Sequence, residues 1–182
     1  MVNEEIHFGG TLTKREFYQS NFYFSGMNVL LVTLAGAIII FFAELFIFRG
    51  FQEVFFRVYI PLILSVAALF ILLIIGAITI DFKARSEYVS NQLIKQEIQY
   101  DANNDEFIQT RGKSKIYVKW QELYWAFEYK TIFLLYLSKH QSFIIPKRFF
   151  ANEADIYKFR SLIRESMPKK KVSLRKWGGE KC

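Results

Sequence analysis

Two long apolar runs, Met27 to Phe48 and Val58 to Ile80, flank a nine-residue connector and restrict this chain more than any other feature. An α-helix rising about 1.5 Å per residue needs about 20 apolar residues to cross a hydrocarbon core of about 30 Å. These runs have 22 and 23, the second without a charged residue and the first with Glu44 alone. Both read as transmembrane helices (27–48 and 58–80), so the expected architecture is a membrane hairpin with aqueous flanks. The first run follows Glu4, Glu5 and Glu16 and outlasts a signal-peptide core, which makes it an anchor rather than a cleaved leader.

The net charge of +7 is unevenly spread. Residues 1–80 carry 4 basic and 5 acidic groups, residues 81–167 carry 14 and 11, and residues 168–182 carry 6 and 1. The excess sits in a basic tail (168–182) holding Lys169, Lys170, Lys171, Arg175, Lys176 and Lys181. Two readings are open for it. It is a disordered, solvated tail, or one drawn to anionic head groups at about 1 kcal/mol per basic residue. Near the spans, Lys14, Arg15, Lys83, Arg85 and Lys95 lie on the side of the termini and Arg49 and Arg57 in the connector, which favours both termini in the cytoplasm. The lone cysteine, Cys182, allows no disulfide within the chain and fits a reducing compartment. Glu44 is an intramembrane polar group about 6 Å from the end of its span. It is expected to snorkel to the interface or to pair in the loop, facing Arg49 or Arg57, with a contact inside or between hairpins as the alternative.

The flanks have their own patterns. Ile6 to Thr13 suggests a short strand, and Thr13 with Glu16 has capping-box spacing, so a helix is expected from about Lys14, with Gly26 as a candidate break before the first span. Residues 1–26 thus read as a strand and an interfacial helix. After a polar, helical-looking connector (81–91) the period changes to two: strands are expected near 94–100, 107–111, 114–120, 124–129, 132–137 and 142–145. Asn152, Asp155 and the spacing of Ile156, Phe159 and Ile163 then predict a capped amphipathic helix ended by Pro168. Trp120 and Trp125 read as core or rim residues. The expected fold class is α+β: a two-helix transmembrane hairpin plus a small antiparallel β-barrel or sandwich over 81–167, closed by a C-terminal helix, in the outline of a pleckstrin-homology-like (PH-like) domain.

The order of these elements, with Val118, Lys119, Trp120 and Leu123 in the meander and Ile145, Pro146, Lys147, Arg148, Phe149 and Phe150 leading into the last helix, resembles the bacterial YcxB-like membrane proteins. The resemblance spans about residues 5–167 and leaves the tail outside. It implies a two-span protein of the bacterial inner membrane with a PH-like cytoplasmic domain. It implies no reaction and no ligand.

The residues that usually carry chemistry are scarce. His7, His140 and Cys182 cannot form a zinc set or a hydrolase triad, and no nucleotide-binding glycine motif occurs, so no catalytic, cofactor-binding or metal-binding residues and no cofactor are expected. Glu97, Glu122 and Glu128 read as exposed carboxylates. Arg111, Lys113, Lys115, Tyr117 and Lys119 share one face under a two-residue period unless Gly112 resets the register; they read as a candidate lipid- or partner-binding stripe or as a solvated sheet face. Lys147 and Arg148 are candidates to contact phosphate, or to bind carboxylates that fix the following helix. The expected function is a non-enzymatic, membrane-anchored binding module whose cytoplasmic domain recognises a protein partner or anionic lipid, not nucleic acid. The alternative is a protective, immunity or stress factor acting through the hairpin itself.

Overall fold

A computed structural model describes residues 5–139 and 141–174. His140, Arg175, Lys176, Lys181 and Cys182 lie outside the described residues. The chain divides into two compact units, Met1–Ser20 with Ser90–Cys182, and Asn21–Val89.

Helix α1 (Lys14–Phe48) starts at the expected capping box: the Thr13 amide and hydroxyl donate to Glu16 Oε2 at 2.9 and 2.8 Å, and the Glu16 amide donates to Thr13 Oγ1 at 3.3 Å. It runs unbroken through Gly26. A single π-helical turn (Phe55–Tyr59) leads into α2 (Ile60–Ser90), which absorbs the polar stretch after residue 80 with an Arg85–Asp81 pair at 2.8 Å. Both helices are long and apolar enough to cross a bilayer, and only 6% of the most apolar window of each is buried. Within this unit the two helices pack closely at Gly76, where a Cβ would overlap the Val29 side chain.

The other unit holds eight strands in two four-stranded sheets. One has the order β1-β2-β3-β4, built from Ile6–Thr11, Glu97–Ala102, Glu106–Arg111 and Ser114–Lys119, all antiparallel. The other has the order β7-β6-β5-β8, with β5 (Trp125–Glu128), β6 (Ile132–Ser138) and β7 (Gln141–Pro146) antiparallel and β8 (Val172–Ser173) parallel to β5. The sheets do not close into the barrel that the meander suggested. Two pairings that bring distant chain together explain why: β1 comes from ahead of α1 to pair with β2, and β8 comes from the basic tail to cover β5. Residues 169–173 of that tail are therefore part of the fold, which departs from the first of the two readings open for it, and Lys171 Nζ donates to the Leu123 carbonyl at 2.9 Å.

Between the sheets lies an aromatic core joined by α3 (Glu153–Ser166). Phe8, Tyr100, Phe107, Trp120, Phe133, Phe150 and Phe159 are buried and in mutual ring contact, with Phe8 and Phe150 centroids 4.2 Å apart. The polar tips of Trp120 and Tyr100 in this core are satisfied, as burial demands. Trp120 Nε1 donates to the Asn103 carbonyl at 2.7 Å, and the Tyr100 hydroxyl accepts from Gln109 at 3.2 Å while donating to the Ile144 carbonyl of the other sheet at 3.3 Å. Helix α3 is capped as the sequence predicts, Asn152 Oδ1 accepting from the Asp155 amide at 2.9 Å.

β1 owes its seat to a missing side chain. A Cβ at Gly10 would lie 2.8 Å from the Phe149 ring. Gly10→Ala must displace that buried aromatic and is expected to lower unfolding free energy by about 1–3 kcal/mol, read from urea denaturation.

Candidate functional site

The six basic residues singled out by sequence do not form one surface. Arg148 is held by the N-terminal flank: its Nε and Nη2 donate to Glu16 Oε1 and Oε2 at 2.7 and 2.9 Å, and Nη2 also donates to the Thr11 carbonyl at 2.5 Å. Glu16 thus caps α1 and clamps the β7–α3 junction at once. Burial pushes its carboxyl up, but the bonds from Arg148 and Thr13 outweigh this and hold its pKa below the usual range.

Lys147 is the neighbour in sequence and points to a different carboxylate. Its Nζ lies 2.5 Å from Glu128 Oε1 on β5, and Arg160 of α3 donates to the same carboxylate through Nη2 at 2.7 Å and Nε at 3.0 and 3.1 Å. The Glu128 side chain has no exposed surface, Arg160 retains 9% and Lys147 17%. Sequence reading put Glu128 on exposed surface, and this is a correction. The missed signal was its period-two relation to Ala126, also buried, with Arg160 beside Phe159 on the inward stripe of α3. Desolvation raises the Glu128 pKa, yet the bonds from Arg160 and Lys147 prevail and lower it overall. Of the two roles open for Lys147 and Arg148, both engage carboxylates that fix neighbouring elements.

The stripe along β3 and β4 also divides. Gly112, at φ +57°, and Lys113 form a two-residue turn, so Arg111 pairs with Ser114 and Thr110 with Lys115. Residues i and i+3 across such a turn share a face, which puts Arg111 on the side of Phe107 and Gln109, opposite to Lys115, Tyr117 and Lys119. The shared face expected for all five residues is therefore corrected. Arg111 Nε is buried without a hydrogen-bond partner. Lys113, Lys115, Tyr117 and Lys119 are exposed.

Glu44 accepts from the Ser65 hydroxyl at 2.7 Å, a contact inside the hairpin, and forms no ion pair with Arg49 or Arg57 among the described residues. The Arg49 guanidinium instead lies 4.1 Å from the Phe46 ring centroid. The expected pairing with Arg49 or Arg57 is thus replaced by a contact inside the hairpin.

One polar feature was not anticipated. His7 and Asp101 face each other across β1 and β2, with Nδ1 to Oδ1 at 2.6 Å, beside an open depression of about 400 Å³ that also takes in Gly9, Glu97 and Gln99. The Asp101 hydrogen bond raises the His7 pKa. Among the described residues no three His, Cys, Asp or Glu side chains are placed to hold a metal ion.

Comparison with known proteins supports the resemblance read from the sequence. The family described as YcxB-like protein matches residues 103–163, from β3 to α3. The uncharacterized protein YcxB of Bacillus subtilis (strain 168) is 30% identical over 115 residues, which cover 63% of this chain and 61% of that protein. No solved structure matches.

Glu128→Gln leaves two cations without their shared counter-charge, and the expected loss is about 3–5 kcal/mol in urea unfolding. The pH dependence follows by linkage. The folded-state pKa values of Glu128 and Glu16 are depressed, so their contribution is complete above the ordinary value of 4.5 and is lost as pH falls through the depressed values. Unfolding midpoints measured on the acid side should flatten in Glu128→Gln. His7 acts in the opposite sense: its contribution is present below 6.5 and fades as pH rises through the raised value, so Asp101→Asn should return the His7 titration in NMR toward 6.5.

Proposed function

We propose that this chain, which is similar over residues 103–163 to the YcxB-like family, is a non-enzymatic binding module anchored in the bacterial inner membrane by its two long helices. The observation that carries this reading is that both helices keep their apolar surface outward, with 6% of each apolar window buried. Leaving one large aliphatic or aromatic side chain in water forgoes about 1.5–3 kcal/mol of burial. Leu31, Val32, Ile39, Phe42, Ile63, Ile71 and Ile75 are among more than a dozen such residues on these helices. Lipid supplies the missing burial. Cytoplasmic termini follow from the bias of basic residues toward the flanks.

The aqueous unit, with two packed sheets and a C-terminal helix, is read as a PH-like domain. Its role is recognition, because Glu16, Glu128, Lys147, Arg148 and Arg160 are consumed in holding it together while Lys113, Lys115 and Lys119, on β4 and the turn before it, stay exposed. Lys113, Lys115 and Lys119 are the contact residues for an acidic partner or anionic lipid; Lys147, Arg148 and Arg111 are withdrawn from that role. Neither a cofactor nor nucleic acid enters this reading.

The test is fractionation and protease access in cells. The full chain should stay in membranes washed with alkaline carbonate, and the segment from Ser90 onward should resist protease added outside intact cells. Release by carbonate, or cleavage of that segment from outside, would overturn the reading.

A further inference from the structure

Deepening the binding-module reading and resting on it, we propose that the free edge of β4 accepts an extended acidic peptide segment as an added strand. The sheet edges are not alike. β5 is covered by β8, the Thr11 carbonyl on β1 accepts from Arg148, and the Ile144 carbonyl on β7 accepts from Tyr100. β4 has no strand beyond β3 among the described residues.

The turn determines which groups that edge presents. With a two-residue loop at Gly112–Lys113, Arg111 and Ser114 form the hydrogen-bonded closing pair. Gly112 has positive φ and Lys113 does not, which matches the II′ turn suited to such hairpins. Counting from that pair, Ile116 and Val118 turn their main-chain groups to β3, whereas Lys115 and Tyr117 turn N–H and C=O outward. Lys119 confirms the direction: its amide is already taken by Glu122 Oε2 at 3.2 Å. Two outward amides, at Lys115 and Tyr117, have no partner among the described residues.

The side chains select the occupant. Tyr117 is 58% exposed and Ile116 43%, on opposite faces of the strand, so an added strand would cover both. Around them stand Lys113, Lys115 and Lys119, all exposed. A second copy of the chain is a poor fit, because antiparallel pairing centred on Tyr117 sets Lys115 against Lys119 twice, and directly opposed like charges destabilise a sheet. Edge lysines commonly guard against such self-pairing. A strand carrying carboxylates turns the same charges into attraction, so this edge rejects itself and accepts an acidic segment.

The experiment uses the full-length chain in phosphatidylcholine nanodiscs and a fluorescent probe peptide alternating Glu with Val and Thr, followed by anisotropy and amide hydrogen exchange. Saturable binding with slowed exchange at Lys115 and Tyr117 is expected. Tyr117→Pro removes an outward N–H without touching the β3 ladder or a charge, and should weaken binding about tenfold, whereas Tyr117→Val stays within about threefold. The same probe N-methylated at alternate amides should lose about tenfold against the wild-type chain, which keeps the test independent of how any variant folds. Lys115→Glu with Lys119→Glu should reduce affinity by a similar factor, and Lys-for-Glu exchange in the probe should restore it. Absence of saturable binding, or equal affinity of the plain and N-methylated probes, overturns the proposal. So does adsorption to phosphatidylglycerol nanodiscs that depends on these lysines while the peptide fails to bind; the lysines then serve lipid. In each of these failures the chain remains membrane-anchored, whereas a fault in the anchoring reading shows itself as release from washed membranes.

Discussion

Outward-facing apolar surface on two helices of 35 and 31 residues is the constraint from which the other assignments follow. A helix that is hydrophobic all round cannot stand in water as an amphipathic one does. Its backbone bonds are internally satisfied, so a bilayer is the environment that suits it. The features inside the hairpin agree with packing in lipid, where close approach and hydrogen bonds replace a hydrophobic drive between helices. Gly76 admits Val29 to close range, and Ser65 occupies the carboxylate of Glu44. Glu44 therefore serves a helix-to-helix contact.

In the unit that holds the two sheets, two carboxylates organise the assembly. Glu128 joins β5, α3 and the turn after β7 through Arg160 and Lys147; Glu16 joins the start of α1, β1 and the same turn through Arg148. Adjacent cations in sequence are thus sent to carboxylates on different elements, and the Ile145–Phe150 stretch becomes a junction that fixes both neighbours. Partner-bearing buried charges of this kind are costly to break singly. Their use here engages Lys147 and Arg148 inside the fold, whereas Lys115 and Lys119 stay exposed.

Local signals in the sequence translated well. The Thr13–Glu16 box, the Asn152 cap, the Gly112 turn and the alternating strands all appear within one to three residues of their expected positions, because each depends on neighbours in the chain. What required distant pairing was hidden. The seat of β1 beside β2 joins residues 86 to 96 positions apart, the His7–Asp101 contact among them, and no local period encodes it. The basic stripe was misjudged at one point for a geometric reason: counting by twos through a two-residue turn keeps Arg111 in step with Lys115, whereas the turn itself places i and i+3 together. Glu128 was misplaced because its local signal, standing in step with Ala126, marks burial only once Arg160 and Lys147 are brought to it from distant elements.

The central claim is that the hairpin lies in acyl chains while the sheets do not. A tryptophan introduced at Phe42, a position 64% exposed on α1, reports this directly when the full chain is reconstituted in bilayers with bromine on the acyl chains. The account predicts strong quenching of the added emission relative to the unsubstituted chain, whose Trp120 and Trp125 belong to the unit that holds the sheets. An added signal that brominated acyl chains leave unquenched would contradict it.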